Sequence, residues 1–168
     1  VTGDTAATAG RGDVPTSDTP RTMLLSVHPR FARAILHGHK TVELRRHRVG
    51  ASPGAVVILY ATSPVMAVIG TAHIADVETT TPQAIWQRHG TRTGLTEREF
   101  LDYLNGCKIA SALTLRRPTT LPAPMHLKTL RETNSFQPPQ SYRYVGHDDP
   151  LLLRQLSPEL ASTARHCG

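Results

Sequence analysis

The sequence contains few cysteines, no long hydrophobic run and no recognisable leader. Its two cysteines, Cys107 and Cys167, lie far apart and neither belongs to a C-x-x-C motif, so neither a disulfide framework nor a cysteine zinc site is indicated. No apolar stretch approaches the roughly 18 residues of a transmembrane helix, and the chain does not open on a basic segment followed by an apolar one. We therefore expect no membrane association and, because free cysteines suit a reducing compartment, a cytoplasmic location.

The sequence also lacks the motifs that mark common metal and cofactor sites. Its nine histidines include no pair at metal-binding spacing on one helix face. Neither a G-x-x-x-x-G-K-[ST] phosphate loop nor a dinucleotide fingerprint is present, so we expect no metal and no cofactor. Aromatic residues make up only 5% of the chain. This scarcity disfavours an extended stacking platform for a nucleic-acid strand and favours a pocket for one unpaired base.

Positive charge is concentrated in one segment of the chain. The formal net charge is +6, and residues 21–50 hold seven basic residues against one acid, Glu43, whereas the remainder is balanced. A localised excess of this kind attracts polyanions such as RNA or single-stranded nucleic acid. A solvated basic face without a ligand explains the same excess equally well at this stage.

Local patterns predict a mixture of strands and helices. The predicted strands are 23–27, 41–46, 55–61, 65–78, 107–117 and 140–145, and the predicted helices begin near Pro29, Thr81 and Thr96. Thr96 and Glu99 form a T-x-x-E capping box at the last of these helices. Strands joined by interposed helices predict an α+β fold in which a small, curved sheet closes into a barrel.

The ends of the chain differ in composition from its centre. Residues 1–21 are rich in Gly, Thr, Asp and Pro and are predicted to be a disordered tail. Residues 22–146 form the predicted domain. Residues 147–168 form a C-terminal tail whose leucines suit an amphipathic helix, and a role for this tail in protein interaction is a further hypothesis. The oligomeric state stays open.

The stretch Gly38–Arg45 reads GHKTVELR and follows the pattern G-x-K-x-x-x-x-R. This pattern resembles the signature of the ASCH domain, a branch of the PUA-like superfamily. The similarity extends to LLSVHPRFARAILHGHKTVELRR as the first strand, helix and second strand, to GAVVILYATSPVMAVIGTAHI as the central strand pair, and to PPQSYRYV as the closing strand. It covers residues 23–145.

The resemblance implies a mixed β-barrel of five or six strands with flanking helices and a ligand cleft. Members of the superfamily bind RNA or modified bases in this cleft, and ASCH proteins have been regarded as RNA-binding regulators. A ribonuclease activity has also been attributed to the family. Some small members are hydrolases that act on N4-acylated cytidine, and these place a threonine three positions after the lysine. Here that position is Glu43, and a carboxylate is not a simple replacement for a hydroxyl nucleophile.

Three residues of the signature are the central candidates for the cleft. Glu43 and Arg45 share one face of the predicted strand because side chains alternate along it. Glu43 can accept hydrogen bonds from an exocyclic amine of a base, or it can pair internally with Arg45 or Arg143. Lys40 can reach a phosphate as a mobile charge, or it can complement the end of the preceding helix. If the protein is an enzyme, Lys40 and Glu43 are its candidate acid–base pair.

Other polar residues are candidates for nucleic-acid binding around this centre. They are Ser26, His28, Arg30, Arg46, Arg48, Ser63, Ser141, Tyr142 and Arg143. Arg46 and Arg48 are assigned to backbone phosphates outside the cleft, since Arg46 points away from the face of Arg45. The favoured hypothesis is a non-enzymatic module that binds RNA or a modified base. The alternative is a small hydrolase or nuclease acting on a modified nucleoside or on RNA.

Overall fold

A curved six-stranded sheet forms the centre of the protein in a computed structural model that describes residues 19–132 and 134–161. Residues 1–18, which make up most of the predicted tail at residues 1–21, lie outside the described residues. Cys167 lies outside them as well. The strands are β1 (Met23–Val27), β2 (Val42–Arg45), β3 (Val56–Ala61), β4 (Ala67–Thr80), β5 (Ala110–His126) and β6 (Tyr142–Tyr144). The helices are α1 (Pro29–Leu36), α2 (Pro82–His89), α3 (Glu97–Tyr103), α4 (Leu127–Leu130), α5 (Leu151–Gln155) and α6 (Pro158–Ala161), and a 3-10 helix spans Gly90–Arg92.

The sheet has the order β2-β5-β4-β3-β1-β6. β1 pairs with β3 in parallel, and its pairing with β6 is antiparallel, as are all the other pairings. The predicted α+β class and the mixed sheet with up to six strands are thus confirmed. The sheet curls into a half-barrel: within the described part of the chain, no strand pairing joins β2 to β6, so the backbone does not close the barrel.

β5 extends beyond the predicted end of its strand at residue 117. The following segment contains Pro118, Pro122 and Pro124, and its composition predicts an irregular connection. In the structure it continues the pairing with β4, and the ladder shifts register between Val68 and Gly70 and again between Thr71 and His73. β2 covers β5 only as far as Thr114, so the later part of β5 is an edge that tolerates residues without an N–H group.

Side-chain caps fix where the helices that flank the site begin. The His28 ring accepts a hydrogen bond from the backbone N–H of Arg30, and Pro29 occupies the first turn of α1. The predicted capping box of α3 is present: Thr96 accepts from the backbone of Glu99, and the Glu99 side chain accepts from the backbone of Thr96. Each cap satisfies backbone donors that the first helical turn leaves without partners.

Three apolar clusters hold the helices against the sheet. Ala32 and Ile35 of α1 pack on one face of the sheet, and Ile85 and Phe100 join α2 and α3 to β2 and β5. Trp86 of α2 is partly buried against this cluster, with its ring centroid 4.9 Å from that of Phe100. The opposite face is covered by α4 and by Leu153 of α5. The sequence favours one amphipathic helix in the C-terminal tail, but the described part folds as the two short helices α5 and α6.

Candidate functional site: a cleft over a buried ion cluster

A cleft of about 430 Å³ opens between the end of β1, the start of α1, strand β2 and helix α3. This volume lies in the range of small-molecule sites and suits one nucleotide unit better than an extended chain. The residues that line it are Ser26, Val27, His28, Arg30, Phe31, Lys40, Glu43, Leu44, Arg45, Leu95, Glu99, Asp102 and Tyr103. Six of the residues predicted from the sequence therefore meet in one place: Ser26, His28, Arg30, Lys40, Glu43 and Arg45.

Lys40, Glu43 and Arg45 form a buried ion cluster at the base of the cleft. Glu43 Oε2 lies 3.1 Å from Lys40 Nζ, and Glu43 Oε1 lies 2.9 Å from Arg45 Nη2. The three side chains are only 2%, 9% and 8% exposed. The contact that strand alternation predicts between Glu43 and Arg45 is present, and one carboxylate is shared by two cations at hydrogen-bonding distance.

The ammonium of Lys40 has all its protons engaged within the protein. Besides Glu43, it donates to the backbone carbonyl of Val42 at 2.8 Å and to that of Thr93. An ammonium has three donors, so this side chain is a fixed internal charge rather than the mobile phosphate contact proposed from the sequence. Its role in the cleft is to hold Glu43 and to join β2 to the loop that carries Thr93.

Two glycines explain how Lys40 reaches this position. Gly38 has a φ of +76° immediately after α1, and this left-handed conformation ends the helix at a position that favours glycine. The turn lets the backbone N–H of Lys40 donate to Ala34 and directs the chain into β2. Gly94, with φ +70°, packs its backbone on the Lys40 stem, where an added Cβ would lie 3.4 Å from Lys40 Cβ. The G-x-K part of the signature therefore has a direct conformational basis.

Arg45 bridges the open side of the half-barrel. Its Nη2 donates to the carbonyl of Ser26 on β1 at 3.0 Å, and its Nη1 donates to Ser141 Oγ at 3.3 Å just before β6. The same guanidinium pairs with Glu43, while its Nε is buried with no hydrogen-bond partner among the described residues. A planar donor group with several N–H vectors suits this role better than an ammonium does.

The mouth of the cleft carries a second, exposed ion pair. Arg30 on α1 donates from Nη2 to Glu99 Oε1 on α3 at 2.8 Å, and its guanidinium lies over the Phe31 ring. The pKa of Glu99 is lowered from 4.5 to about 2, because it accepts hydrogen bonds from Arg30 and from the backbone and hydroxyl of Thr96. His28 is exposed and also lines the cleft, and its Nδ1 accepts from the Arg30 backbone N–H at 3.2 Å.

Helix α3 supplies cleft residues that the sequence did not reveal as such. Glu99, Asp102 and Tyr103 line the cleft, and the Tyr103 hydroxyl donates to the Leu44 carbonyl at 3.2 Å. Burial raises the pKa of Tyr103, with the charges of Arg45 lowering and Glu43 raising it. The capping box marks the start of α3 in the sequence, but no local pattern indicates that this helix packs over β2.

The positive and negative charges that line the cleft are equal in number. Arg30, Lys40 and Arg45 are matched by Glu43, Glu99 and Asp102.

Several predicted binding residues lie outside the cleft. Arg143 forms a bidentate pair with Asp149 at 2.6 and 2.7 Å and so is not the partner of Glu43. Tyr142 packs beside Tyr144 against the core, and Ser63 is exposed in the turn after β3. Ser141 does not line the cleft but contacts two residues that do: its hydroxyl accepts from Arg45, and its carbonyl accepts from the Ser26 N–H at 3.0 Å. Arg46 and Arg48 are exposed beyond β2, where Arg46 donates to the Asn105 carbonyl at 3.1 Å.

Two further polar residues, a hydroxyl and a carboxylate, also lie away from the cleft. Thr41, next to the signature lysine, does not line the cleft, and its hydroxyl accepts a hydrogen bond from Arg92 Nε at 3.2 Å. Glu78 pairs with Arg88 and with His89, whose Nε2 lies 2.7 Å from Glu78 Oε2. Neither supplies the hydroxyl or second carboxylate of an N4-acylcytidine hydrolase to this cleft.

Residues 19–132 and 134–161 contain neither a candidate metal site nor a candidate membrane-spanning helix. No three His, Cys, Asp or Glu side chains there are grouped so that they could hold a metal ion. None of the helices described there combines the length and the apolarity that crossing a bilayer requires.

The cleft sits within a segment that matches a known family model. Residues 25–117 match the model of the ASCH domain, and this segment contains the end of β1 together with α1, β2 and α3, which build the cleft. The chain belongs to the ASCH domain family. The resemblance seen in the Gly38–Arg45 signature is therefore confirmed.

Relatives of this ASCH domain support the assignment along most of the chain. An ASCH domain-containing ribonuclease from Zymomonas mobilis is 34% identical over 138 residues, which are 82% of this chain and 93% of that protein. The crystal structure of ASCH from Zymomonas mobilis matches with a TM-score of 0.74 at 34% identity, covering 82% of this chain and 96% of that chain. A serine-to-alanine variant of that protein gives the same TM-score at 33% identity, covering 83% of this chain and 98% of its own.

Proposed function

We propose that this protein binds RNA, takes one nucleotide unit into the cleft over Lys40, Glu43 and Arg45, and cleaves the RNA chain. The observation that carries the proposal is the cleft itself, which combines a buried carboxylate, an exposed histidine and oriented cations in about 430 Å³. The similarity of 34% over most of both chains to a protein named a ribonuclease favours RNA as the substrate.

Transfer of an RNA phosphodiester needs a base, an acid and stabilisation of charge on phosphorus. Glu43 accepts the proton of the ribose 2′-hydroxyl, and the 2′-oxygen forms a bond to phosphorus. The bond from phosphorus to the 5′-oxygen breaks, and this leaving oxygen takes up a proton from water at the open mouth of the cleft while the His28 Nε2–H donates a hydrogen bond to it. Glu43 afterwards returns its proton to the solvent. The products are a 2′,3′-cyclic phosphate and a free 5′-hydroxyl. Arg30 stands at the mouth as the cation nearest to the developing phosphorane charge.

The donor role of His28 follows from its hydrogen bond. Because Nδ1 accepts from the Arg30 backbone N–H, the proton of the neutral ring resides on Nε2. This N–H can donate a hydrogen bond to the leaving oxygen of a nucleotide in the cleft that His28 lines. The carboxylate of Glu43 is fixed by Lys40 on one oxygen and Arg45 on the other, so its remaining lone pairs have a defined direction.

Cleavage of a short RNA by purified protein tests this proposal. His28→Asn keeps an acceptor at the N-cap of α1 but removes the Nε2–H donor, and it should lower the cleavage rate by about 10²–10³-fold. His37→Asn, at an exposed histidine at the other end of α1, is the matched control. A single 2′-deoxy nucleotide should block cleavage at its own linkage only. Cleavage by His28→Asn at the wild-type rate would exclude the donor role, and absence of RNA binding by the wild type would exclude RNA as the substrate.

A non-enzymatic RNA-binding role is the second candidate, and one observation favours it. The buried ion cluster is internally satisfied: Lys40 uses three donors on the protein, and Glu43 holds both cations. Such a network gives a rigid, preorganised pocket for a base with an exocyclic amine. Salt-dependent binding of RNA that remains intact after prolonged incubation would select this function over the nuclease.

A further inference from the structure

Three exposed arginines form a second cationic surface beside the cleft, and it lies outside the basic segment that the sequence highlights. We define the arginine surface as Arg92, at the end of the 3-10 helix, together with Arg116 and Arg117 on β5. Its interpretation rests on the RNA binding proposed above, because the partner it fits is a nucleic-acid backbone.

The members of the arginine surface are connected through Thr41, the residue that precedes β2. The backbone N–H of Thr41 donates to the Arg92 carbonyl at 3.0 Å, and Arg92 Nε donates back to Thr41 Oγ1 at 3.2 Å. The Thr41 carbonyl accepts from the N–H of Leu115 at 2.8 Å, which places Arg116 next along β5. Residues from three separate segments thus meet at the N-terminal end of β2.

The backbone of β5 orients the other two arginines. Arg117 has a φ of +50°, and the β4–β5 ladder shifts register between Thr71 and His73 beside it. Such irregularities redirect side chains relative to a regular strand. Arg116 is the register partner of His73, and the pKa of His73 is lowered by burial and then by the charges of Arg117 and Arg116.

Unlike the cations of the cleft, these arginines are not paired with carboxylates in the described part of the chain. Within the described parts of the chain, Lys40, Arg45, Arg30, Arg88 and Arg143 each pair with a carboxylate, but no ion pair involves Arg92, Arg116 or Arg117. The carboxylates on this side are Glu78, which is already paired with Arg88 and His89, and Asp76, whose charge acts on His89. The surface keeps a net positive charge.

The position of this surface relative to the cleft suggests a path for RNA. Arg92 directly precedes Thr93, whose carbonyl binds Lys40 Nζ at the base of the cleft. Arg46 and Arg48 lie beyond the other end of β2, and from residue 42 to residue 46 a strand spans roughly 13 Å. A stacked strand places about four phosphates over that length. The cleft, whose charges balance, lies between two unneutralised cationic surfaces.

We propose that the arginine surface of Arg92, Arg116 and Arg117 binds RNA phosphates on one side of the cleft, while Arg46 and Arg48 bind phosphates on the other side. The nucleotide between them enters the cleft. The arginine surface contributes affinity without sequence preference, because phosphate contacts position a strand and do not read bases.

Binding of a labelled 12-nucleotide 2′-O-methyl RNA, which resists cleavage through the 2′-oxygen, tests the arginine surface. Fluorescence anisotropy over a salt series measures both affinity and the slope of log affinity against log salt. Arg116→Gln with Arg117→Asn removes two charges, and asparagine tolerates the left-handed backbone at residue 117. We expect the slope to become shallower by about 1.4 and the affinity at 0.15 M salt to fall about tenfold. Lys128→Gln, in α4 beyond the end of β5, removes one positive charge away from the arginine surface and should leave both unchanged; it is charge-matched to the single variant at Arg92 below.

Two further variants sharpen the result. Arg92→Gln should weaken binding in the same direction without altering β5, and Asp76→Asn should strengthen it because it removes an opposing charge. Thermal unfolding checks that each variant is folded. Loss of affinity with Arg46→Gln but not with Arg92→Gln or the β5 variant would overturn the arginine surface and leave RNA binding intact. Absence of binding by the wild type at low salt would overturn the RNA proposal itself.

Discussion

Arg45 and Ser141 lie 96 positions apart in the sequence, and a hydrogen bond of 3.3 Å joins Arg45 Nη1 to Ser141 Oγ across the open side of the half-barrel. The same guanidinium holds the Ser26 carbonyl on β1 and the carboxylate of Glu43 on β2. The two edges of the sheet are therefore connected by side chains instead of by a strand ladder: besides Arg45, the Tyr144 hydroxyl on β6 donates to the Gly50 carbonyl beyond β2 at 2.6 Å. Arg45 both shapes the floor of the cleft and helps to close the fold.

Arg45→Lys should loosen this closure although the charge is kept. An ammonium cannot reproduce the fork of donors that reaches Glu43, Ser26 and Ser141 together, and hydrogen bonds from a charged donor contribute about 1.5–3 kcal/mol each. We expect the free energy of unfolding to fall by about 2–4 kcal/mol and amide exchange in β6 to accelerate. Arg46→Lys, on the exposed neighbour, is the control and should change stability by less than about 0.5 kcal/mol. Equal exchange in the two variants would argue against the bridging role.

Glu43→Gln should destabilise the protein strongly. The substitution leaves the cations of Lys40 and Arg45 buried with no carboxylate between them, and an uncompensated buried charge costs about 3–5 kcal/mol. Urea unfolding measures the loss. Lys40→Met combined with Glu43→Gln should recover part of it, because one of the stranded charges is removed as well. A double variant as unstable as the simple sum of two single losses would show that Lys40 and Glu43 are not coupled.

The carboxyl of Glu99 should titrate far below an ordinary glutamate. Its pKa of about 2 arises from the hydrogen bonds of Arg30 and Thr96, so the stabilisation is present above pH 4.5 and is lost as the pH falls towards 2. Carbon-13 NMR of the side chain measures this pKa directly. Arg30→Gln should raise it towards 4.5, and Arg33→Gln on the same helix should leave it unchanged. A normal pKa in the wild type would show that the Arg30–Glu99 pair is not formed in solution.

His73 should remain neutral to unusually low pH. Burial and the charges of Arg117 and Arg116 lower its pKa from 6.5, so this group supports folding fully above pH 6.5 and its contribution is lost as the pH falls through the lowered value. Proton NMR of the imidazole follows the titration. Replacing both arginines by Gln and Asn should shift the pKa upward, whereas His37, exposed at the end of α1, is the internal reference. If the pKa of His73 were the same in the double variant as in the wild type, the two guanidinium groups would be too far from the imidazole to affect it.

Gly70→Ala should destabilise β4 where it passes α1 and β5. An added Cβ would lie 2.5 Å from Leu36 Cδ2 and 2.6 Å from the Thr119 carbonyl oxygen, and the backbone carbonyl cannot easily withdraw. Overpacking of this kind costs about 1–3 kcal/mol or somewhat more, and thermal unfolding measures it. Gly146→Ala is the matched control, since nothing lies within 4 Å of its added Cβ. Comparable melting temperatures for the two variants would contradict this packing.

Much of the fold follows from local sequence patterns. The run MLLSV, Pro29 after His28, and the T-x-x-E box at Thr96 each predicted an element that the structure contains. These signals are local because hydrogen bonds and caps within a few residues decide them. The extent of β5 was not predictable in the same way: its prolines indicate a break, and only the absence of β2 beside them permits the strand to continue.

The sequence by itself determined that Glu43 and Arg45 share a face, since alternation along a strand is fixed by backbone geometry, and that Gly38 ends a helix before Lys40. The tertiary structure alone decided which charges are neutralised. Glu99 comes from α3 to hold Arg30, and Asp149 holds Arg143 away from the cleft, whereas Arg92, Arg116 and Arg117 have no carboxylate partner among the residues that the structure describes. Coulomb attraction depends on distance in space, so net charge along the chain locates a basic segment but cannot locate a basic surface.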